Sequence, residues 1–435
     1  MSYSIFVSKY GGTSQKESTY RIITNKIKDA IENPKEIKTQ SKFIIVLSAI
    51  SGITNKLLQF EENKDLNLLK EILDTNIELA TLSKVDITDL CEGFTEQAVC
   101  IECIDDIISL VAQGEFFTCN ILNRYLNSNG VKSKFISSMD IIESTCENDA
   151  LYNKGEFNVN SKQIIEAFDT YDVVVIPGFS ARTPSGKCCL LGRGGSDTTG
   201  SIIAAATNAI TYTIWTDVSG IYSSDPRKIT NTFVNTNMSY DAAQEVAAMG
   251  AKVIHPYCIL PCAQKKIPIA IKNTFEPVGG TCISCDVSNK VYAVTIQEKV
   301  KVFKITSLNM WNNYGFVHDI FSTFKKFNVD VNIINTSQFN ITTTTDEINE
   351  CKLWDIHEEL QKKYQIEIRF NNSIVSVVGD NIRTTDSIGN IFKISKSFNI
   401  ITTSYSSNDM SLSFVINSTD AINLAQKLHD IVFYN

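Results

Sequence analysis

Three largely apolar runs of strand length constrain the fold of this chain more than any other feature of its sequence. They are KFIIVLSAI (42–50), YDVVVIPGF (171–179) and AITYTIWTD (209–217). Strands that lack polar alternation are typical of parallel sheets with both faces covered. Helical patterns separate the runs along the chain. The sequence therefore predicts an α/β sandwich around a mainly parallel sheet.

Glycine and polar residues cluster directly after the predicted strands. The four clusters are KYGGTS (9–14), LSAISGIT (47–54), PGFSAR (177–182) and TDVSG (216–220). Ligands of open α/β sheets bind outside the carboxyl ends of the strands. We therefore expect these four loops to face one cleft.

A fifth cluster, LGRGGSDTTG (191–200), precedes an alanine-rich segment. The pattern predicts a helix whose first turn is capped by Ser196 or Asp197. Free amides at such a turn bind anions, and glycines let a ligand approach closely. Arg193 could add a two-pronged contact to a carboxylate or phosphate. The alternative is an ordinary tight turn with a helix cap.

The first glycine pair follows a lysine at a strand end. Lys9 there could neutralise phosphate oxygens while the amides of Gly11 and Gly12 hold them, as phosphoryl transfer requires. The alternative is a solvated surface lysine. The chain lacks a GxxxxGK[ST] loop, and GRGGSD lacks the third glycine of a dinucleotide fingerprint.

Charge and cysteine usage narrow the class of protein. A net charge of −8 without a basic stretch argues against nucleic acid as a partner. The two CxxC pairs, at 100–103 and 282–285, are too far apart for a compact zinc site, so we expect reduced thiols and no protein-bound metal. No signal-peptide pattern or membrane-spanning apolar run is present, which predicts a cytoplasmic protein without a membrane partner.

The C-terminal third contains an internal repeat. Residues 315–334 align with residues 386–405 at an offset of 71. Each copy predicts strand, amphipathic helix, strand and a further strand, the last being QFNITTTT (338–345) or MSLSFVIN (410–417). We predict domains at 1–285, 300–370 and 371–435, the last completed by a strand from 291–299. We also predict that the two β-rich segments are edge strands that pair between subunits of a homodimer or a dimer of dimers. The repeat suits a binding module, and the alternative is one continuous domain without a ligand.

Six motifs together resemble the aspartate kinases in order and spacing, over nearly the whole chain. They are SKYGGTS, VLSAISGITN, QGE, LGRGGSDTT, IWTDVSGIYSSDPR and GAKVIHP. The repeat resembles the paired ferredoxin-like ACT units of the monofunctional, lysine-sensitive branch. The resemblance implies an amino-acid kinase fold that uses ATP and Mg²⁺ to convert L-aspartate into 4-phospho-L-aspartate. This is the first step of the aspartate-family amino-acid pathway, and the implied feedback effector is lysine or threonine.

The resemblance also implies roles for individual residues. Lys9 and Asp197 would be catalytic, Glu115 would hold the substrate ammonium, and Arg193 its α-carboxylate. The implied substrate set is Ser48, Thr54, Glu115, Arg193 and Ser196. The implied ATP set is Lys9, Gly11, Gly12, Ser14, Thr216, Asp217, Tyr222, Arg227 and Lys252. The implied effector set is Met310, Gly315, Val317, Asp330, Val331, Asn332, Thr336 and Ser337.

The residue chemistry agrees with these assignments. A dicarboxylic amino acid needs a guanidinium, a carboxylate and neutral donors around it. Its side-chain carboxylate is already ionised at neutral pH, so transfer requires orientation and charge neutralisation rather than a strong base. Mg²⁺ would be held mainly through phosphate and water oxygens.

Several positions depart from the family pattern. Tyr10 and Gln15 flank the first glycine pair, where the family has phenylalanine and valine, and Ser219 replaces a proline. Asn332 and Gln338 stand where the family has acids, so a dibasic effector should bind more weakly, although Asp330 on the same strand face could compensate.

Two alternatives to an aspartate kinase remain at this point. The first is another member of the fold, acting on glutamate, acetylglutamate, carbamate or a nucleotide. The second is a catalytically idle amino-acid sensor. The presence of Lys9, Arg193 and Asp197 favours an enzyme over a sensor.

Overall fold

The structure is a computed structural model that describes residues 3–32, 40–101, 103–148, 151–153, 155–251, 253–286, 290–307, 314–384 and 388–434. Met310 and Lys252, both assigned to sites above, lie outside the described residues. The chain forms two compact units. The N-terminal unit comprises Met1–Ile221, Val234–Gln244 and Val253–Asp286, and the C-terminal unit comprises Tyr222–Phe233, Glu245–Lys252 and Val287–Asn435.

The N-terminal unit contains two sheets and their covering helices. Its strands are β1 (Tyr3–Tyr10), β2 (Gln40–Leu47), β3 (Ser133–Phe135), β4 (Ile142–Ser144), β5 (Phe157–Val159), β6 (Val173–Pro177), β7 (Ser180–Arg182), β8 (Cys188–Leu190), β9 (Thr211–Thr216), β10 (Asn237–Ser239), β11 (Ile269–Asn273) and β12 (Thr281–Ser284). Its helices are α1 (Glu17–Glu32), α2 (Ile53–Asn63), α3 (Leu66–Leu82), α4 (Thr88–Val99), α5 (Ile104–Val111), α6 (Gln113–Ser128), α7 (Ser138–Ile141), α8 (Lys162–Ala167), α9 (Gly195–Thr207), α10 (Tyr240–Ala248, whose last turn belongs to the C-terminal unit) and α11 (Leu260–Lys265).

The main sheet has eight strands in the order β10-β12-β11-β9-β1-β2-β6-β3. The run from β11 to β3 is parallel throughout, while β11 and β12 are antiparallel. All five residues of β6 are buried, as its unbroken apolar sequence requires. The smaller sheet has the order β5-β4-β7-β8. The predicted α/β sandwich with a mainly parallel sheet is confirmed.

The register of the central strands positions the glycine loops. β1 pairs in parallel with β2 on one side and with β9 on the other, and β2 pairs with β6. The carboxyl ends of these four strands therefore lie side by side along one edge of the sheet. An apolar core that includes Tyr20, Ile45, Leu57 and Phe117 packs helices against the sheet and fixes the strands beneath these loops.

The C-terminal unit is built on a six-stranded antiparallel sheet. Its elements are β13 (Val291–Thr306), α12 (Phe316–Lys326), β14 (Ile334–Thr336), β15 (Asn340–Thr345), α13 (Glu350–Gln361), β16 (Gln365–Gly379), α14 (Ile388–Ser395), β17 (Thr402–Tyr405), β18 (Ser411–Asn417) and α15 (Ser418–Phe433). The sheet order is β14-β15-β13-β16-β18-β17.

Two long strands serve both copies of the repeat. β13 and β16 pair along their lengths, with register shifts between Gln297 and Val302. Lys299 and Asn371 adopt positive φ angles of 61° and 59° near this irregularity. This irregularity divides both long strands into two halves. The second half of β13 and the first half of β16 belong to one βαββαβ arrangement, and the other two halves belong to the second. The first part of β13 thus pairs with the strand that opens the second copy.

The prediction that the segments at 338–345 and 410–417 form edge strands is wrong. β15 lies between β14 and β13, and β18 lies between β16 and β17. The true edges are β14 and β17, of three and four residues. Both correspond to the strand predicted after each repeat helix, and local periodicity does not say which strand of a sheet lies at its edge. Within the described ranges, no helix has the length and apolarity needed to cross a membrane.

Candidate active site

A cavity of about 310 Å³ opens at the carboxyl ends of the central strands of the N-terminal unit. Loops after β1, β2 and β6 contribute to its wall, together with the start of α6 and the start of α9. Its lining residues are Lys9, Gly12, Ser48, Ala49, Ile50, Ser51, Gly52, Thr54, Glu115, Tyr152, Phe179, Gly192, Arg193, Gly194, Gly195, Ser196 and Asp197. The loop after β9 is absent from this set, although it follows the strand that adjoins β1.

An ion pair joins the two predicted catalytic residues. Nζ of Lys9 lies 2.7 Å from Oδ1 of Asp197, and the two side chains are only 10% and 14% exposed. The hydroxyl of Tyr212 donates to the carbonyl of Asp197 over 2.8 Å and anchors its backbone. Lys9 is thus a buried, paired cation rather than a solvated surface lysine. Because surrounding water is largely excluded, the ion pair holds both charged groups in fixed positions at the cavity.

Glycine at position 12 lets the first two loops touch. A Cβ atom at Gly12 would lie 2.7 Å from the carbonyl oxygen of Ala49, which no other residue could accept without a shift. The amide of Ser51 donates to the Gly12 carbonyl over 3.2 Å. The amide of Gly11 donates to the carbonyl of Trp215 over 3.1 Å. The loop after β1 is therefore tied to β9 on one side and to the loop after β2 on the other.

Gln15, a departure from the family pattern, braces the same glycine loop. Its side-chain amide donates to the carbonyls of Tyr10 and Gly11, and its side-chain oxygen accepts the hydroxyl of Tyr20. Ser14 is fully buried, and its hydroxyl lies 2.7 Å from that of Thr274. Both side chains are therefore engaged in holding the loop. Neither lines the cavity.

The start of α9 differs from the predicted cap. Gly194, with φ of 69°, precedes the first helical residue, and no side chain accepts a hydrogen bond from the first turn. The predicted capping by Ser196 or Asp197 is wrong because both residues already lie inside the helix. A Cβ atom at Gly194 would lie 2.4 Å from the Cβ of His255, so this close approach requires glycine. The first turn of α9 thus lines the cavity without a side-chain cap.

Glu115 is a buried acid at the start of α6. Gly114 makes this placement possible, because a Cβ atom there would lie 2.7 Å from that of Ala49. Glu115 is 3% exposed, and its Oε2 has no hydrogen-bond partner among the described residues. Burial raises its pKa to about 8, against the opposing effects of the Ala49 amide and the charge of Lys9. A cation that entered the cavity would favour the ionised carboxylate.

The remaining polar groups of the cavity are more accessible. Arg193 is exposed and forms no ion pair with a described residue. Ser48 and Thr54 are half-buried, and Thr54 is the second residue of α2. The hydroxyl of Thr118 donates to the carbonyl of Ser48 over 3.1 Å, which ties α6 to this loop. The cavity therefore combines a guanidinium, an ammonium, two carboxylates and several hydroxyls.

Three residues near the cavity escaped the sequence analysis as candidates. Tyr152 and Phe179 line it, with ring centroids 6.2 Å apart. Phe179 has φ of 70°, and its amide donates to the Thr199 hydroxyl. His255 packs on Gly194, and burial lowers its pKa, with Asp197 acting against that shift. Two of them could have been found from the sequence, because Phe179 lies in the loop motif PGFSAR and His255 lies in the motif GAKVIHP.

The predicted nucleotide residues divide between the two units. In the N-terminal unit, Thr216 ends β9 and Asp217 follows it, and the Thr216 hydroxyl donates to the Asp217 carboxylate over 3.1 Å. Tyr222 and Arg227 belong to the C-terminal unit. Nε and Nη2 of Arg227 contact the two carboxylate oxygens of Asp225 at 2.9 and 3.0 Å, which orients the guanidinium.

The predicted effector residues are mostly exposed. Gly315 and Val317 lie at the start of α12, and Asp330 and Asn332 are exposed residues between α12 and β14. Val331 beside them is half-buried. Thr336 and Ser337 line a second cavity of about 260 Å³, which also includes Lys304 and Arg369. The other described members of the effector set do not line that cavity.

Comparisons with known proteins agree with this geometry. The family model described as the Amino acid kinase family matches residues 4–273. Lysine-sensitive aspartokinase 3 of Escherichia coli is 26% identical over 457 residues, covering 99% of both chains. Chloroplastic aspartokinase 3 of Arabidopsis thaliana is 27% identical, covering 98% of this chain and 81% of the relative. The solved structure of Escherichia coli aspartokinase III with aspartate and ADP superposes with a TM-score of 0.83 at 24% identity, covering 99% of this chain and 100% of that one.

Proposed function

This chain belongs to the amino acid kinase family, and from that premise we propose that it is an ATP-dependent aspartate kinase that forms 4-phospho-L-aspartate. The curated relatives are aspartokinases and match this chain over nearly its whole length. The Escherichia coli relative was solved with aspartate and ADP. The site geometry of this chain supports the same chemistry independently.

The observation that carries the proposal is the placement of Glu115. Its carboxyl is buried, has an oxygen without a partner among the described residues, and shares one cavity with Arg193 and Lys9. An α-ammonium group would supply the missing hydrogen bonds and favour the ionised carboxylate. Arg193 would pair with the α-carboxylate, and the hydroxyls of Ser48 and Thr54 would orient the substrate. An amino acid with a second carboxylate fits this set of groups.

The transfer itself needs no proton movement. A β-carboxylate oxygen forms a bond to the γ-phosphorus of ATP, and the bond from that phosphorus to the β–γ bridging oxygen breaks, which releases ADP. Lys9 neutralises charge on the transferring group, and the ion pair with Asp197 holds its ammonium in place. The uncapped first turn of α9 and the amide of Gly12 suit phosphate oxygens, whereas the amide of Gly11, which was also expected to hold them, already donates to the carbonyl of Trp215.

We propose that a magnesium ion arrives with the nucleotide and is held mainly by phosphate and water oxygens. Among the described residues, no three His, Cys, Asp or Glu side chains are grouped to hold a metal. An ion held in that way would need no such cage from the chain. When bound, it would neutralise phosphate charge. The roles of Ser14, Thr216, Asp217, Tyr222, Arg227 and Lys252 in nucleotide binding remain part of this proposal.

Regulation and assembly are proposed on related grounds. One relative is named lysine-sensitive, and the Escherichia coli enzyme was also solved with lysine and aspartate. We propose that lysine, or failing that threonine, inhibits this enzyme through its C-terminal unit, with weaker lysine affinity because of Asn332 and Gln338. We also propose a cytoplasmic homodimer or dimer of dimers with domains at 1–285, 300–370 and 371–435.

A substrate panel tests the proposed reaction. Purified protein with ATP and Mg²⁺ is offered aspartate, glutamate, N-acetylglutamate and UMP, and ADP is detected by a coupled assay. We expect turnover with aspartate alone. N-acetylglutamate lacks the ammonium for Glu115, UMP lacks an amino acid altogether, and the similarity to aspartokinases favours aspartate over glutamate. Preferred turnover of glutamate or N-acetylglutamate would replace the substrate assignment. No turnover with any acceptor would favour the sensor alternative.

A further inference from the structure

The segment Tyr222–Phe233 belongs to the C-terminal unit, although the residues before and after it in the sequence belong to the N-terminal unit. Its flanking residues, Ile221 and Val234, both belong to the N-terminal unit. The resemblance to aspartate kinases assigns Tyr222 and Arg227, in this segment, to the nucleotide. A stretch assigned to substrate binding is therefore folded onto the unit that carries the internal repeat.

Apolar contacts anchor the segment at its middle and its end. Ile229 is 2% exposed and belongs to the core cluster that includes Val294, Leu424 and Leu428. The ring of Phe233 meets the ring of Phe433 edge to face, with centroids 5.1 Å apart. The last turns of α15 thus provide much of the surface against which the segment packs.

Polar contacts hold the segment between β13 and α15. The hydroxyl of Ser223 lies 2.9 Å from Nε2 of the fully buried His429. The carbonyl of Ser223 accepts the amide of Val294 over 2.8 Å. These contacts fix the residue that follows Tyr222, so they also restrict where Tyr222 can lie.

A second set of polar contacts holds the part of the segment that follows Arg227. The side-chain oxygen of Gln426 accepts the amide of Thr230 over 2.9 Å and its hydroxyl over 3.1 Å. The hydroxyl of Tyr434 donates to the carbonyl of Asn231. Lys228 forms an ion pair with Glu298 of β13 over 2.7 Å. The backbone on both sides of Arg227 is therefore held by the C-terminal unit.

A second segment of the kinase chain shows the same arrangement. Glu245–Lys252 belongs to the C-terminal unit, where Ser411 of β18 donates to the carboxylate of Glu245. The sulfur of Met249 accepts from Ser376 and Ser413 at 3.7 and 3.8 Å. Both inserted segments are thus held by side chains of the C-terminal sheet or of α15.

We propose that α15, acting through Gln426 and His429, positions the segment 222–233 for nucleotide binding. The proposal rests on the proposed kinase function and deepens it, because it names the side chains that hold a segment assigned to the nucleotide. Gln426 and His429 are positioning residues, since they act through Ser223 and Thr230 and not on the nucleotide itself. A segment freed from α15 must be ordered when the nucleotide binds, and that cost weakens binding.

Titration of the full-length protein with ADP tests the proposal directly. Gln426→Ala should weaken ADP binding by about fivefold or more, since it removes both hydrogen bonds to Thr230 and one net hydrogen bond corresponds to about that factor. In turnover assays the KM for ATP should rise by a similar factor while the KM for aspartate stays unchanged. Gln426 is only half-buried, so the variant should fold. The matched control is Asn423→Ala, an exposed position on the same helix.

A double-mutant cycle separates positioning from general loosening. Thr230→Val removes only the hydroxyl that Gln426 accepts. If the two side chains act through one contact, the double variant binds ADP no more weakly than Gln426→Ala alone. ADP affinity in Gln426→Ala equal to that of Asn423→Ala would overturn the proposal, as would equal losses in ADP and aspartate affinity. Because ADP binding is read without turnover, loss of aspartate phosphorylation with an intact ADP effect would sink only the substrate assignment.

Discussion

Glu115 should release a proton when aspartate binds, and the size of that release follows from its burial. The pKa of Glu115 is raised to about 8 by burial. At pH 7 such a carboxyl is roughly nine-tenths protonated. The substrate ammonium favours the ionised form, so binding at pH 7 should release close to one proton. Ionising the carboxyl at that pH costs about 1.4 kcal/mol, which the new ion pair must offset.

The sign of the pH dependence follows from the same shift. Since the raised pKa lies above the ordinary value of 4.5, the protein without aspartate holds a proton that the complex does not. Aspartate affinity should therefore increase with pH up to about 8, by up to about tenfold per unit, and level off above it. Below pH 8 a proton and the substrate ammonium compete for the Glu115 carboxylate.

Calorimetry in two buffers measures the release. Binding enthalpies of aspartate at pH 7 in phosphate and in Tris differ in proportion to the number of protons exchanged. Glu115→Gln should bind aspartate more weakly, with equal enthalpies in both buffers and a flat pH profile. The control Glu96→Gln changes an exposed acid and should match the unmodified protein. Equal enthalpies in the two buffers for the unmodified protein would refute the reasoning.

Four further outcomes are expected. Lys9→Ala should lower kcat by about a hundredfold or more, since the loss of a preorganised charge costs about 3 kcal/mol. Near-normal activity in a steady-state assay would mean that the phosphate site lies elsewhere. Arg193→Lys keeps the charge but loses the two-pronged contact, so the KM for aspartate should rise about tenfold while the KM for ATP stays unchanged. The reverse pattern would contradict the assignment of Arg193 to the substrate carboxylate. Light scattering should give at least twice the monomer mass of 48.5 kDa, and the monomer mass alone at micromolar concentration would exclude the proposed dimer. Asn332→Asp should strengthen inhibition by lysine in the full-length enzyme. If calorimetry shows that neither lysine nor threonine binds at millimolar concentration, the C-terminal unit has a structural role and not a regulatory one.

The predictable features of this protein are those that depend on residues close together in the chain. The run at 171–179 predicted a buried parallel strand, because an apolar segment of that length has few other places in a globular fold. The glycine clusters after β1, β2 and β6 predicted loops at one edge of the sheet for the same local reason. The strands predicted after each repeat helix correspond to β14 and β17, but the edge assignment was wrong because the order of strands in a sheet depends on pairing between distant segments.

Sequence by itself determined the sheet, the positions of the glycine loops and the set of side chains available to the cavity. Only the tertiary structure decided the electrostatic state of those side chains. Lys9 is paired and Glu115 has a raised pKa because packing removes water from around them, and the packing partners come from distant parts of the chain. The placement of 222–233 against α15 has the same origin. Contacts such as Ser223 with His429 span about two hundred residues, and local pattern carries no information about which distant surface a segment will meet.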